Sequence, residues 1–220
     1  MTEPTSLIHE LPTVTVRRAV VSSMANNVYL LTNRESGAQI LIDAADDAPA
    51  IRRLLRDAAG DSGAPASLEL VATTHRHWDH VRALADIADG IPTAAGRDDA
   101  AGIEAESGVV VGRLLGHGDV LEAGGTTLHA VHLRGHTPGS IAYVLADGGT
   151  TLIFSGDSLF PGGVGNTEND PQRFTSLLDD VQERLFGAYR DDAVVLPGHG
   201  SPTTLGSERA SLPEWRARGW

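Results

Sequence analysis

No cysteine occurs in the 220 residues, so neither a disulfide frame nor a thiol nucleophile is available to this chain. Lysine is missing too: all seventeen basic residues are arginine, and twenty-nine acidic ones leave a formal net charge of −12. The only basic clusters are Arg17-Arg18 and Arg52-Arg53. Such a chain offers phosphates no electropositive track, and no nucleic-acid partner is expected. Arginine without lysine, beside abundant alanine and glycine, is a bias of GC-rich coding and points to a bacterial source. No apolar run approaches eighteen residues, and the polar start Met1-Thr2-Glu3-Pro4-Thr5-Ser6 lacks the basic flank and apolar centre of a signal peptide. No membrane partner and a cytoplasmic location are therefore expected. With no Pro/Ser-rich linker, charge block or low-complexity tract, residues 1–220 read as one domain long enough for a large core.

What the chain does have is histidine in one place. His75-Arg76-His77-Trp78-Asp79-His80 puts four metal-ligand types into six residues, which chance at this composition rarely produces. The apolar run Leu68–Thr74 before it reads as a buried strand. On extended backbone, residues i and i+2 point the same way, so His75 and His77 can face one ion. A helix is expected next, because Val81, Leu84, Ala85 and Ala88 repeat at helical spacing; the change of direction aims Asp79 and His80 at a second point.

Three further candidates follow strand-like runs: His136 after Thr126–Leu133, Asp157 after Thr151–Ser155, and His199 after Ala193–Leu196. Functional groups in α/β sheets collect at the carboxyl ends of strands, where loops converge on a rigid frame. Taken together, His75, His77, Asp79, His80, His136, Asp157 and His199 are too many for one tetrahedral zinc. They divide evenly if Asp157 bridges: His75, His77, His136 and Asp157 for one ion, Asp79, His80, His199 and Asp157 for the other. Two divalent ions roughly 3.5–4 Å apart would share a hydroxide, a nucleophile at neutral pH that needs neither serine nor cysteine. Zinc is the first expectation, with iron or manganese acceptable to the same ligands. Asp79 and Asp157 are the expected catalytic carboxylates, Asp79 as ligand and proton acceptor at once.

The remaining signals are ordinary. Asp47-Ala48-Pro49 opens a helix with Ile51, Leu54, Leu55 and Ala58 on one face and Gly60 at its end, and Asp170-Pro171 opens another with a core stripe of Phe174, Leu177, Leu178, Val181 and Leu185. Thr13–Arg17, Asn27–Thr32 and Gln39–Asp43 read as strands of a first sheet. Gly162, Gly163 and Gly165 suit a turn or a cleft wall, and Phe160 is read as core. Arg76 and Arg134 are the nearest cations; either could bind a substrate carboxylate, and both are read as solvated first. His132 is read as a plain strand residue, and His9, His117 and His129 as background.

The run H-x-H-x-D-H, followed by a separate His136, by Gly156-Asp157 and by Gly198-His199, resembles the metallo-β-lactamase superfamily over about residues 27–209. Asp157 matches the bridging aspartate of its glyoxalase II-like members, where the true β-lactamases carry cysteine or serine; an antibiotic-degrading enzyme is therefore not expected. The resemblance implies an α/β fold, a four-layer αββα sandwich of two mixed β-sheets with outer helices. It also implies hydrolysis of an ester-type bond, commonly a thioester, in a small-molecule substrate. One departure stands out. Glyoxalase II has an additional C-terminal helical domain that grips glutathione, and only residues 200–220 follow His199 here. Three alternatives remain open: a persulfide dioxygenase-like enzyme with one iron on His75, His136 and Asp157, a lactone hydrolase, and a non-catalytic metal-binding module.

Overall fold

The structure, a computed structural model, describes residues 6–219; residues 1–5, most of the polar start, lie outside the described residues. Seven strands form the first sheet in sequence order: β1 Ser6–Glu10, β2 Val14–Val21, β3 Asn26–Asn33, β4 Ala38–Ile42, β5 Ser67–Thr73, β6 Thr93–Gly96 and β7 Arg113–Leu115. The first four pair antiparallel, the rest parallel. Helix α1 (Ala48–Asp57) crosses between β4 and β5, and the short α2 (Leu84–Ile87) and then α3 (Ala100–Ser107) follow. In the second half come β8 Val120–Ala123, β9 Thr126–His132, β10 Ile141–Asp147 and β11 Thr150–Gly156. A small hairpin of β12 Leu159–Phe160 and β13 Gly163–Val164 leads into α4 (Pro171–Val181). Then β14 (Val194–Pro197), β15 (Thr203–Thr204), α5 (Leu205–Arg209) and α6 (Leu212–Arg218) complete the described chain. The second sheet is ordered β15-β14-β11-β10-β9-β8, with β11 and β14 parallel.

Three apolar clusters separate four layers. Ile51, Leu54, Leu84 and Ile103 pack on one face of the first sheet, against Leu30, Leu41 and Val71. Its other face, with Val16, Tyr29, Leu31, Ile40 and Ile42, meets Leu128, Tyr143, Leu152 and Phe154 of the second sheet. Behind that, Val144, Ile153 and Val195 carry the Phe174, Leu177, Leu178, Val181 and Leu185 stripe. Alternate residues of one strand thus serve two different cores, as the period of a strand requires. This is the expected αββα sandwich.

Two tyrosines tie the sheets together at the end where the site lies. Tyr143 of β10 donates to the carbonyl of Thr73 at 2.9 Å, and Tyr29 of β3 donates to that of Pro197 at 2.8 Å; burial raises both phenols above their usual range. Tyr143→Phe keeps the ring and strands a buried carbonyl, so the unfolding free energy is expected to fall by about 1–3 kcal/mol, measurable as a lower denaturation midpoint at unchanged m-value.

Several local expectations need correction. The helix expected from Val81, Leu84, Ala85 and Ala88 is a 3-10 turn at Trp78–His80 followed by only four helical residues, and Ala85 is exposed. The N–H groups of Arg82 and Ala83 bond instead to the carbonyls of Ala45 and Ala44, so a tertiary partner replaces the helical one. The strand Gln39–Asp43 stops at Ile42 because Asp43 turns left-handed (φ +59°). α1 stops at Asp57, with a 3-10 turn over Ala58–Gly60. Phe160 is half-buried, and its neighbour Leu159 supplies the core contact.

Candidate metal centre

The carboxyl ends of β9, β11 and β14 lie along one edge of the second sheet, because β9 and β11 both run antiparallel to β10 and β14 runs parallel to β11, and the end of β5 meets that edge where Ile141 N donates to the Thr74 carbonyl at 2.8 Å. The loops leaving them bring together all seven residues singled out from the sequence. Ligand atoms of His75, His77 and His136 lie within 4.8 Å of one another, as do those of His75, His80 and Asp157, and those of Asp79, His80 and His199. Asp157 stands between the groups: Oδ2 is 3.7 Å from His136 Nε2 and 3.5 Å from His199 Nε2, while Oδ1 is 3.5 Å from His80 Nε2. The other described histidines lie outside the cluster; His132 donates to the carbonyl of Pro138.

What orients the imidazoles is visible atom by atom. His136 Nδ1 faces the Asn166 carbonyl at 2.8 Å, and His199 Nδ1 the Met24 carbonyl at 2.9 Å. His80 Nδ1 faces Asp43 Oδ2 at 2.9 Å. Carbonyl and carboxylate oxygens only accept, so each Nδ1 carries its proton and donates. Thr74 Oγ1 spends its own proton on Asp43 Oδ2 (2.7 Å) and accepts from His75 Nδ1 at 3.0 Å. In four histidines, then, Nδ1 carries a proton and Nε2 is turned inward, available to a metal once any second proton is displaced, the arrangement by which outer partners fix a metal-binding tautomer.

The inward atoms lack partners of their own. His75 Nε2, His136 Nε2 and Asp157 Oδ1 are buried without a hydrogen bond in the protein, a costly state unless something else meets them. His80 Nε2 and His199 Nε2 face each other at 3.2 Å, which needs either a shared proton or a cation between them and their carboxylates. Space is kept by glycine: a Cβ on Gly198 would stand 2.2 Å from Asp157 Oδ1, and one on Gly165 1.8 Å from the Asp157 carbonyl. This donor set fits divalent cations.

Three residues that carry no signal in the motifs complete the cluster. Asp43, buried, accepts from Thr74 N and Thr74 Oγ1 at 2.7 Å each as well as from His80. Asn26, fully buried, donates to Asp79 Oδ2 at 2.9 Å and to the Asp79 carbonyl at 3.1 Å, and itself accepts from Ser22 Oγ. Asp99 accepts from the N–H groups of Arg76 and Gly139 and from Thr137 Oγ1, latching the His75–His77 loop to the His136 loop. Asp43 obeys the strand-end rule that picked out Asp157; Asn26 and Asp99 have only burial to mark them.

Protonation follows the geometry. Burial holds His75, His77 and His136 below the usual imidazole range, so they are neutral at neutral pH. Burial would lower His80 and His199 as well, but Asp157 with Asp43, and Asp157 with Asp79, outweigh it and hold both at about 10. Against an ordinary value of 6.5, a raised pKa stabilises the metal-free fold fully below pH 6.5, and that contribution is lost as the pH rises through about 10. A metal at neutral pH therefore displaces protons. Adding zinc to chelator-stripped protein in weak buffer is expected to release protons, and uptake at fixed free zinc to weaken between pH 8 and pH 6; pH-independent uptake without proton release would contradict this reading.

A His/Asp cluster at the strand ends of an αββα sandwich defines the class of metal-dependent hydrolases. The chain belongs to the metallo-beta-lactamase superfamily, whose family profile matches residues 23–199. It is 26% identical to the hydroxyacylglutathione hydrolase GloC of Haemophilus influenzae over 88% of this chain and 94% of that one. It is 32% identical to a hydroxyacylglutathione hydrolase of Ruegeria pomeroyi over 79% of this chain and 62% of that one. Among solved structures, the BLEG-1 B3 metallo-beta-lactamase is similar at a TM-score of 0.71 and 26% identity, covering 91% of this chain and 99% of that one. Among the described residues, no helix is long and apolar enough to cross a membrane.

Proposed function

We propose that the chain hydrolyses a small-molecule thioester at a pair of divalent ions, zinc in the first instance, held by His75, His77, His136 and Asp157 on one side and by Asp79, His80, His199 and Asp157 on the other. The observation that carries this reading is the set of inward Nε2 atoms and Asp157 Oδ1 left without partners. Thioester chemistry is supported by the relatives named hydroxyacylglutathione hydrolase. Ions bound there would polarise the acyl carbonyl and lower the pKa of a bound water toward about 7.

The protein supplies the positions. Asp43, Thr74, Asn166 and Met24 hold four imidazoles in one tautomer, so none has to reorganise when charge develops. Asp79 is held in its ionised form: burial works against it, and hydrogen bonding to His199 and Asn26 outweighs that. Its Oδ2, 3.3 Å from His199 Nε2, would serve as ion ligand and proton acceptor at once. A thiolate leaves without a proton, which suits a site whose other groups are ligands.

Turnover of a panel of thioesters, lactones and a persulfide, measured with metal content and oxygen uptake, tests the proposal. Thioester hydrolysis with two ions per chain is expected. Lactone turnover with inert thioesters would overturn the substrate assignment, and oxygen consumption with one iron per chain would replace hydrolysis by sulfur oxidation. Nucleic acid is proposed to be inert as a substrate, given the net charge of −12.

A further inference from the structure

Where the loops that carry His75, His77 and His136 meet α4 lies a pocket of 510 Å³, walled by Arg76, Arg134, Gly135, Gln172, Arg173 and Ser176. In a chain of net charge −12 it gathers three arginines. Arg76 sits between His75 and His77, and Gly135 precedes His136, so two of the pocket's walls are continuous with loops that carry inward imidazoles.

The pocket's donors are unequally engaged. Arg134 is held by Asp180 at 2.7 and 2.8 Å. Arg173 donates to the Gly135 carbonyl at 2.8 Å, to the His136 carbonyl and to Glu168. Asp170, also in the wall, uses its carboxylate to cap α4, accepting from Gln172 N and Arg173 N. Arg76 differs. Its side chain is 44% exposed, its stem lies over Gly102, and the nearest carboxylate, Asp99 Oδ1, is 3.9 Å from Nε and already accepts from Gly139 N. Among the described residues the Arg76 guanidinium donates no hydrogen bond, and neither do the side chains of Gln172 and Ser176. One planar fork whose ion pair with Asp99 is long, with two neutral donors beside it, matches a single carboxylate better than a phosphate dianion.

We infer that this pocket is a carboxylate-binding subsite in which Arg76, assisted by Gln172 and Ser176, seats a carboxylate of the substrate. The word substrate rests on the proposed hydrolase function; the binding of a carboxylate does not. The substrate class is then an acidic thioester, with its charge placed to one side of the reacting carbonyl.

Succinate binding to the full chain by calorimetry at neutral pH and low salt is the direct test. Wild-type protein is expected to bind it. Arg76→Gln, which keeps part of the stem over Gly102, and Gln172→Glu, which adds a negative charge at an exposed position outside the metal-binding motif, should each weaken binding at least about tenfold at unchanged metal content. Asp157→Asn should leave binding intact. No binding to wild type, equal binding by both pocket variants, or loss of binding with Asp157→Asn, which would place succinate on the ions, overturns the subsite. In kinetics, Arg76→Gln should raise KM about tenfold more for a carboxylated thioester than for its carboxamide analogue; equal effects on both would mean Arg76 is only structural. If no thioester is turned over, the hydrolase reading fails while the calorimetry still decides the pocket.

Discussion

Asp157→Asn is expected to lower thioester turnover by at least about 10²–10³ and to bring bound metal below the wild-type stoichiometry. The substitution is nearly isosteric, so the effect comes from charge. Asp157 is the carboxylate within 3.7 Å of His136 on one side and 3.5 Å of both His80 and His199 on the other. An asparagine would present the cluster with a weaker neutral oxygen and an N–H₂ that only donates. Asp79, near His80 and His199 only, would then be the one carboxylate left facing the inward nitrogens, with Asp43 on the outer nitrogen of His80. Elemental analysis and turnover should fall together. A variant with its full metal complement and the wild-type rate would refute the bridging role.

The second large effect is expected at Asp43, a residue that touches no substrate. Its carboxylate meets Thr74 N, Thr74 Oγ1 and His80 Nδ1 within 2.9 Å in a buried pocket, and Thr74 in turn sets His75. Its backbone lies at φ +59°, a strained position for a residue with a Cβ, tolerated where the surroundings over-determine it. Asp43→Ala removes the charge facing His80 and leaves three buried donors unpaired. The metal-free protein should lose about 3–5 kcal/mol of stability, and metal affinity should fall about 10–100-fold. Chelator competition separates the two effects. Asp43→Asn tolerates the same backbone and keeps one acceptor, so it should recover stability more than affinity. Unchanged affinity in both variants would mean that Asp43 supports only the fold.

The seven donors were legible in the sequence for two different reasons. Four of them stand within six residues, a density that structure alone does not require. His136, Asp157 and His199 were legible only jointly, because each follows a strand and the sheet brings strand ends to one edge. The layers were legible as periodicity, and the stripe from Phe174 to Leu185 is buried as that periodicity demands. The segment after His80 was not, since Val81, Leu84 and Ala85 fit a helix while the backbone donors of Arg82 and Ala83 go to Ala45 and Ala44; a tertiary contact decided it. Asn26 escaped for the same reason. Its partner Asp79 is 53 residues away, and an amide at the start of a strand carries no pattern. Asp43 could have been read, for it ends an apolar strand as Asp157 does, but as the last letter of an apolar run it passes for the strand's edge.

The proposed hydrolysis requires a pair of cations held by residues from both halves of the sandwich, and metal content is its most direct measure. Protein purified without added metal, analysed for elements, stripped with chelator and then titrated back, should take up two divalent ions per chain, with thioester turnover lost on stripping and restored on reloading. Turnover that survives complete removal of metal, or a chain that binds none at micromolar free zinc, would contradict it.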